Sequence, residues 1–269
     1  MRIGVLGPLR VVADGQEIGI GGIRLRVLLT RLALAVGGVV PPAALSEALW
    51  PEGGPAHPGT ALHSLATRLR HALPEPHALR SEPEGYRLAL PPEAVDAALF
   101  ERLAVQGRRV LRDGRPEDAA ERFRAALDLW RGAPLADTAH LPFAVSAVTR
   151  LEQLRLGVRE DLLAAELSSD GWEDPKALLV ELAELVADHP LRERLRELLV
   201  RTLAEEGRQA EALAAHEEYR RLLSTQLGTV PGPRMRELRR RLLDGDGTPV
   251  APPWHEERRG PGAEGTGRG

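Results

Sequence analysis

The 269-residue sequence contains no cysteine, which excludes disulfides, thiolate metal sites and a cysteine nucleophile. Aromatic residues make up only 3%, so the core must be built from leucine, alanine and valine rather than stacked rings. One lysine, Lys176, stands among 36 basic residues. It follows Asp174-Pro175 with no G-x-x-x-x-G-K before it, so a P-loop nucleotide site is excluded. Long apolar runs are missing as well. The most apolar stretch, residues 32–40, is far short of the roughly 20 residues that a membrane span requires. Met1-Arg2-Ile3-Gly4-Val5 is interrupted too early for a signal peptide. These absences lead to the expectation of a soluble, cytoplasmic protein with no membrane partner.

No global positive field marks a polyanion partner either, because the net charge is −3. The charge is nevertheless uneven. Residues 1–92 hold nine arginines and seven acids, a surplus of two positive charges, and the remainder carries a net −5. A nucleic-acid face would therefore be local and belong to the first third of the chain.

What is present is a helical pattern. Hydrophobic residues make up 43% and charged residues 28%, enough to bury a core, and the length suits roughly two domains. The first 21 residues read as strands over 2–7, 9–12 and 16–20, broken by Gly7-Pro8 and by the hairpin signal Asp14-Gly15. Helical spacing follows over residues 23–36, 43–50 and 60–73, with a Gly- and Pro-rich loop at 51–58. Residues 78–81 and 86–90 read as a terminal hairpin, and Pro91-Pro92 marks a boundary. From residue 93 to 243 there is no strand signal. Helices are expected over 94–111, 116–130, 144–167, 174–187, 191–206, 209–227 and 234–243. Gly114-Arg115-x-x-Asp118-Ala119 is echoed by Gly207-Arg208-x-x-Glu211-Ala212. Ala119, Phe123 and Ala126 have the spacing of the second helix of a tetratricopeptide repeat, although the echo is not a multiple of the roughly 34-residue unit. Residues 244–269 are rich in Gly, Pro and charge and are expected to be disordered. The fold class is thus mainly α with small β: an N-terminal winged helix-turn-helix, then an all-α tetratricopeptide-like domain.

The third helix is the candidate site. Leu62, Leu65, Ala66, Leu69 and Leu73 share one face, which belongs to the core. Thr60, Ser64, Thr67 and His71 lie opposite, flanked by His63, Arg68 and Arg70, and no acid occurs between residues 60 and 73. Short hydroxyls can reach phosphates or base edges, and arginine reads guanine bidentately, so this face suits the major groove. The hairpin would be a wing on which Arg80 and Arg87 meet phosphate, with Glu82 and Glu84 opposing DNA at its tip. Nothing points to catalysis. His57, His63, His71 and His77 have no completing carboxylate, and neither G-x-S-x-G nor H-E-x-x-H occurs. No catalytic residue, metal or cofactor is therefore expected. Tyr86 and Trp130 are expected to pack rather than stack on a ligand.

Several segments resemble the Streptomyces antibiotic regulatory protein family. They are Leu6-Gly7-Pro8-Leu9-Arg10-Val11, Leu45-x-x-Ala48-Leu49-Trp50, Leu62-x-x-Leu65-x-x-Arg68-Leu69-Arg70-x-x-Leu73 and Gly85-Tyr86-Arg87-Leu88. Further on come Ala126-Leu127-x-Leu129-Trp130-Arg131-Gly132 with Asp137, His189-Pro190-Leu191-Arg192-Glu193-Arg194, Gly207-Arg208-Gln209-Ala210-Glu211-Ala212-Leu213 and Leu227-Gly228. The resemblance implies an OmpR-type winged-helix DNA-binding domain over 1–92 and a bacterial transcriptional activation domain over 93–243. It implies a homodimer of side-by-side protomers on double-stranded DNA at promoter direct repeats. Recruitment of RNA polymerase holoenzyme and activation of an antibiotic or other secondary-metabolite gene cluster would follow. Carried over, Ser64 and Arg68 would face bases, His63, Thr67 and Arg70 would lie nearer phosphates, and Gly85-Tyr86-Arg87 would form the returning strand of the wing. Two segments depart from the pattern. The basic cluster opening the first helix is here Ile23-Arg24-Leu25-Arg26, and the loop 51–58, which can meet polymerase in winged-helix activators, diverges. The competing readings are a tetratricopeptide-like interaction adaptor and an effector-gated regulator, each with weak or lost DNA binding. Salt dependence of DNA binding separates them from the activator.

Overall fold

In the computed structural model, residues 1–169 and 175–244 are described. The expected disorder of the C-terminal segment falls, beyond residue 244, outside the described residues. Strands β1 (Arg2–Gly4), β2 (Arg10–Ala13) and β3 (Gln16–Glu17) form an antiparallel sheet in that order, with Ile3 opposite Val11 and Val12 opposite Glu17. Then follow α1 (Ile23–Ala33), β4 (Val39–Val40), α2 (Pro42–Leu49), α3 (Pro58–Ala72), β5 (Leu79–Glu82) and β6 (Gly85–Leu88). Seven further helices complete the described chain: α4 (Asp96–Arg112), α5 (Pro116–Leu127), α6 (Pro142–Glu166), α7 (Pro175–Asp188), α8 (Glu193–Glu205), α9 (Gln209–Leu227) and α10 (Pro233–Asp244). This is the expected mainly helical architecture of a winged helix-turn-helix followed by tetratricopeptide-like helices.

The chain packs as two compact units. One comprises residues 1–107 with 121–159, the other residues 108–120 with the described residues from 160 to 244. In the first, α1, α2 and α3 pack on one another through Leu28, Leu29, Leu32, Leu45, Leu62 and Leu69, all essentially inaccessible. Pro58 opens α3, where a missing N–H costs nothing, and Arg70 and His71 sit in its last turn, where positive charge suits the carbonyl end.

One strand escapes the sequence reading. Val39–Val40, between Gly37-Gly38 and Pro41-Pro42, pairs with β6, so the hairpin becomes a three-stranded sheet ordered β4-β6-β5. Two residues carry no periodicity, and only the partner strand makes them a strand. Gly85 permits the pairing: at φ 152° a side chain there would run into the carbonyl oxygen of Val40. Gly107 on α4 has a similar role, because a Cβ would overlap the Phe123 ring. Phe123, Ala119 and Ala126 are all fully buried, which explains the small–large–small spacing on α5.

In the second unit α8 packs against α7, α9 and α10 around Val200, Leu203, Ala212, Tyr219, Leu223, Met235 and Leu238. The motif 189–194 fastens this unit. Arg192 donates to the buried Glu160 at 2.8 Å, and Arg194 and Arg108 both donate to the buried Asp161 at 2.6 Å. Glu193 accepts the Gly232 N–H at 3.0 Å and the Tyr219 hydroxyl at 3.3 Å. Burial and the Glu193 charge push the Tyr219 hydroxyl up to about 12.

Candidate nucleic-acid interface

Two supporting helices, α1 and α2, and the wing set the pose of α3. Its buried face is Leu62, Leu65, Ala66 and Leu69, as the wheel predicts. Thr60, His63, Ser64, Arg68 and His71 are exposed, and Thr67 is half-buried. The outward face therefore carries three short or imidazole hydrogen-bonding groups, the Arg68 guanidinium and a terminal His, with no acid among them.

Sequence reasoning missed part of this surface. Ser64 and Arg68 border an open cleft of about 430 Å³, whose other walls are Arg24 of α1, Trp50 and Gly53-Gly54-Pro55. No acid lines it. Arg24 was visible in the sequence as one of two arginines opening the first helix. Its approach to Arg68 follows only from the packing of α1 on α3.

The other basic residues divide by occupation. Arg70 bridges α3 to the wing, with Nε donating to the Leu79 carbonyl at 2.9 Å and Nη2 to the Ser81 hydroxyl at 2.7 Å. Arg87 donates to Glu82 through Nε at 3.0 Å and Nη2 at 2.7 Å, so each offsets the other's charge. Arg80 lies opposite Arg87 across β5 and β6 and is exposed. At the wing tip Glu84 stays exposed, while Glu82 is half-buried on Arg87.

Two motifs far apart in sequence meet in the same unit. The loop after β1 is held by Asp96, whose carboxylate accepts the N–H of Val5 at 2.7 Å and of Leu6 at 3.1 Å. Burial pushes the Asp96 carboxyl up; those two N–H groups and Arg131 oppose the shift. Arg131 donates to the Pro8 carbonyl at 2.9 Å, and its backbone N–H donates to Leu6 at 2.8 Å. Asp137 accepts the Leu9 N–H and pairs with Arg26 of α1, both at 2.5 Å. The Leu6-Gly7-Pro8-Leu9 and Trp130-Arg131-Gly132…Asp137 segments are therefore two halves of one clamp. Trp130 packs edge-on against Phe100, with centroids 5.4 Å apart, and carries Arg155 on its face at 4.6 Å. That is the packing role expected for it.

A winged helix-turn-helix with an acid-free, arginine-bearing third helix, continued by tetratricopeptide-like helices, defines a transcriptional regulator. The bacterial transcriptional activator domain matches residues 95–243. Regulatory protein AfsR of Streptomyces coelicolor is 39% identical over 247 residues, covering 91% of this chain and 24% of its own. Regulatory protein DnrI of Streptomyces peucetius is 35% identical over 257 residues, covering 91% of this chain and 93% of its own. Among solved structures, Mycobacterium tuberculosis EmbR in complex with a low affinity phosphopeptide superposes with TM-score 0.83 at 31% identity, over 91% of this chain and 65% of that one. The chain belongs to the Streptomyces antibiotic regulatory protein family of transcriptional activators. It spans about a quarter of the length of the AfsR proteins.

Proposed function

We propose that this activator binds double-stranded DNA by laying α3 in the major groove. Ser64 and Arg68 face base edges, while Thr60, His63, Thr67 and His71 reach nearby phosphates. The carrying observation is the exposed, acid-free face of α3, with Arg68 and Arg24 bordering one cleft. A charge-assisted guanidinium pair with guanine O6 and N7 is the commonest specific contact in a major groove. Arg70 holds the wing against α3 and keeps Nη1 for phosphate; Arg80 extends the phosphate contacts along β5. Arg87 orders the hairpin through Glu82 and meets phosphate only at its edge. Protomers bind side by side as a homodimer on promoter direct repeats and recruit RNA polymerase holoenzyme. The controlled genes are those of an antibiotic or other secondary-metabolite cluster, in line with the family.

The test is a gel shift on the upstream and neighbouring promoters of the gene itself, at two salt concentrations, against random competitor. Competitor-resistant and salt-sensitive complexes are expected. Absence of any such complex across the set would overturn the reading in favour of an interaction adaptor.

A further inference from the structure

Helix α10 is basic within an acidic part of the sequence. It holds five arginines and two acids in 12 residues, whereas residues 93–269 together carry a net −5. Met235 and Leu238 face the core, and Glu237 engages Arg240 and Arg241. Arg236 and Arg239 are exposed, and among the described residues neither side chain has a hydrogen bond or an ion pair. Arginines of α9 and α10 act on the ionisable groups nearby. Arg240 and Arg241 hold the Glu237 carboxyl down to about 2. The Glu217 carboxyl on α9 is lowered by Arg220 first, and by Arg221 and Arg239 as well. His216, buried beneath, is lowered by burial first and then by Arg239.

We infer that the Arg236–Arg239 face of α10 is a second, sequence-independent contact for the phosphate backbone of double-stranded DNA, resting on the DNA-binding reading above. Residues three apart lie on one face of a helix, about 4.5 Å apart along its axis, so both long guanidinium side chains can reach phosphates of the same backbone. A protein partner would look for a buried apolar or aromatic anchor at the centre of its contact. Among the described residues the only large apolar side chain exposed on α10 is Leu243, in its last turn. The face therefore offers charge without such an anchor, which matches a phosphate ladder better than an acidic protein surface.

The experiment measures binding of the full chain to a random-sequence duplex by fluorescence anisotropy across salt. It compares the unaltered protein with Arg236→Ala/Arg239→Ala and Arg236→Lys/Arg239→Lys. Each phosphate contact contributes a slope of about 0.9 in log K against log salt, so the alanine pair flattens the slope by about 1.8. Between about 50 and about 200 mM salt its affinity loss is roughly tenfold smaller than that of the unaltered chain. The lysine pair restores the slope. An unchanged slope, with the melting temperature intact, overturns the inference and leaves the face to an acidic protein. If the unaltered chain binds neither random DNA nor its promoters, the DNA reading itself falls and this inference falls with it.

Discussion

Arg68 and Arg70 are two residues apart on α3, yet their substitutions should have opposite signatures. Arg70→Ala removes two charge-assisted hydrogen bonds, at 2.9 Å to the Leu79 carbonyl and at 2.7 Å to the Ser81 hydroxyl. The site is half-open to water, so the two together are worth about 2 kcal/mol rather than their buried value. For a chain of this size that lowers the melting temperature by about 4–8 °C. The wing loses its brace, and affinity falls by the same factor on operator and random DNA. Arg68 is exposed, and its side chain has no hydrogen bond or ion pair among the described residues, so Arg68→Ala leaves the stability within about 0.5 kcal/mol of the unaltered value and the melting temperature nearly unchanged. With α3 in the major groove as proposed, it would remove a base contact worth about 1–3 kcal/mol, so the preference for operator over random DNA should fall by about 5- to 150-fold. Thermal melts and paired titrations on the two DNAs read both effects. Equal losses on both DNAs for Arg68→Ala, or an unchanged melt for Arg70→Ala, would refute the division of roles.

Three further outcomes are expected. Asp96→Ala orphans the N–H groups of Val5 and Leu6 and should cost about 2–4 kcal/mol by urea denaturation; an unshifted midpoint would show that the clamp contributes nothing. Gly107→Val drives a side chain into the Phe123 ring and should cost about 1–3 kcal/mol, with partial recovery when combined with Phe123→Leu; simple additivity of the two changes would argue against the close approach. Glu237, held down to about 2 by Arg240 and Arg241, contributes stability that is present above its ordinary pKa of 4.5 and lost as pH falls through about 2. Circular dichroism melts at descending pH should therefore show the unaltered chain losing its advantage over Glu237→Gln in that window, and a constant difference would contradict the pairing.

The sequence made most of the helices legible because leucine and alanine recur at helical spacing between Gly and Pro. It also showed which face of α3 points outward, since Leu62, Leu65 and Leu69 fix the buried side. Partnerships across long separations were not legible. Leu6-Gly7-Pro8-Leu9 and Trp130-Arg131-Gly132 each stood out, but nothing local tells a backbone N–H at Leu9 that its acceptor is Asp137. Arg70 illustrates the same limit at short range. The wheel places it on a flank, and only the path of β5 shows that its guanidinium turns to Leu79. Motif residues Arg192, Glu193 and Arg194 likewise gained a physical role once Glu160, Asp161 and Gly232 were found against them. Short strands depend on their neighbours, as Val39–Val40 shows.

The clamp at Asp96, Arg131 and Asp137 also sets an order of events during synthesis. When residue 92 leaves the ribosome, the helices α1, α2 and α3 and the wing are complete in sequence, but the loop around Leu6 and Leu9 has no acceptor for its N–H groups. Those arrive with residues 96 to 137. At about 5–20 residues per second, the N-terminal helices and wing wait about 2–9 s for their last fastening, and contacts of such long range are slow to close in any case. The loop after β1, and Arg26 of α1 with it, thus gains its full set of acidic partners only after α4 and α5 have been made.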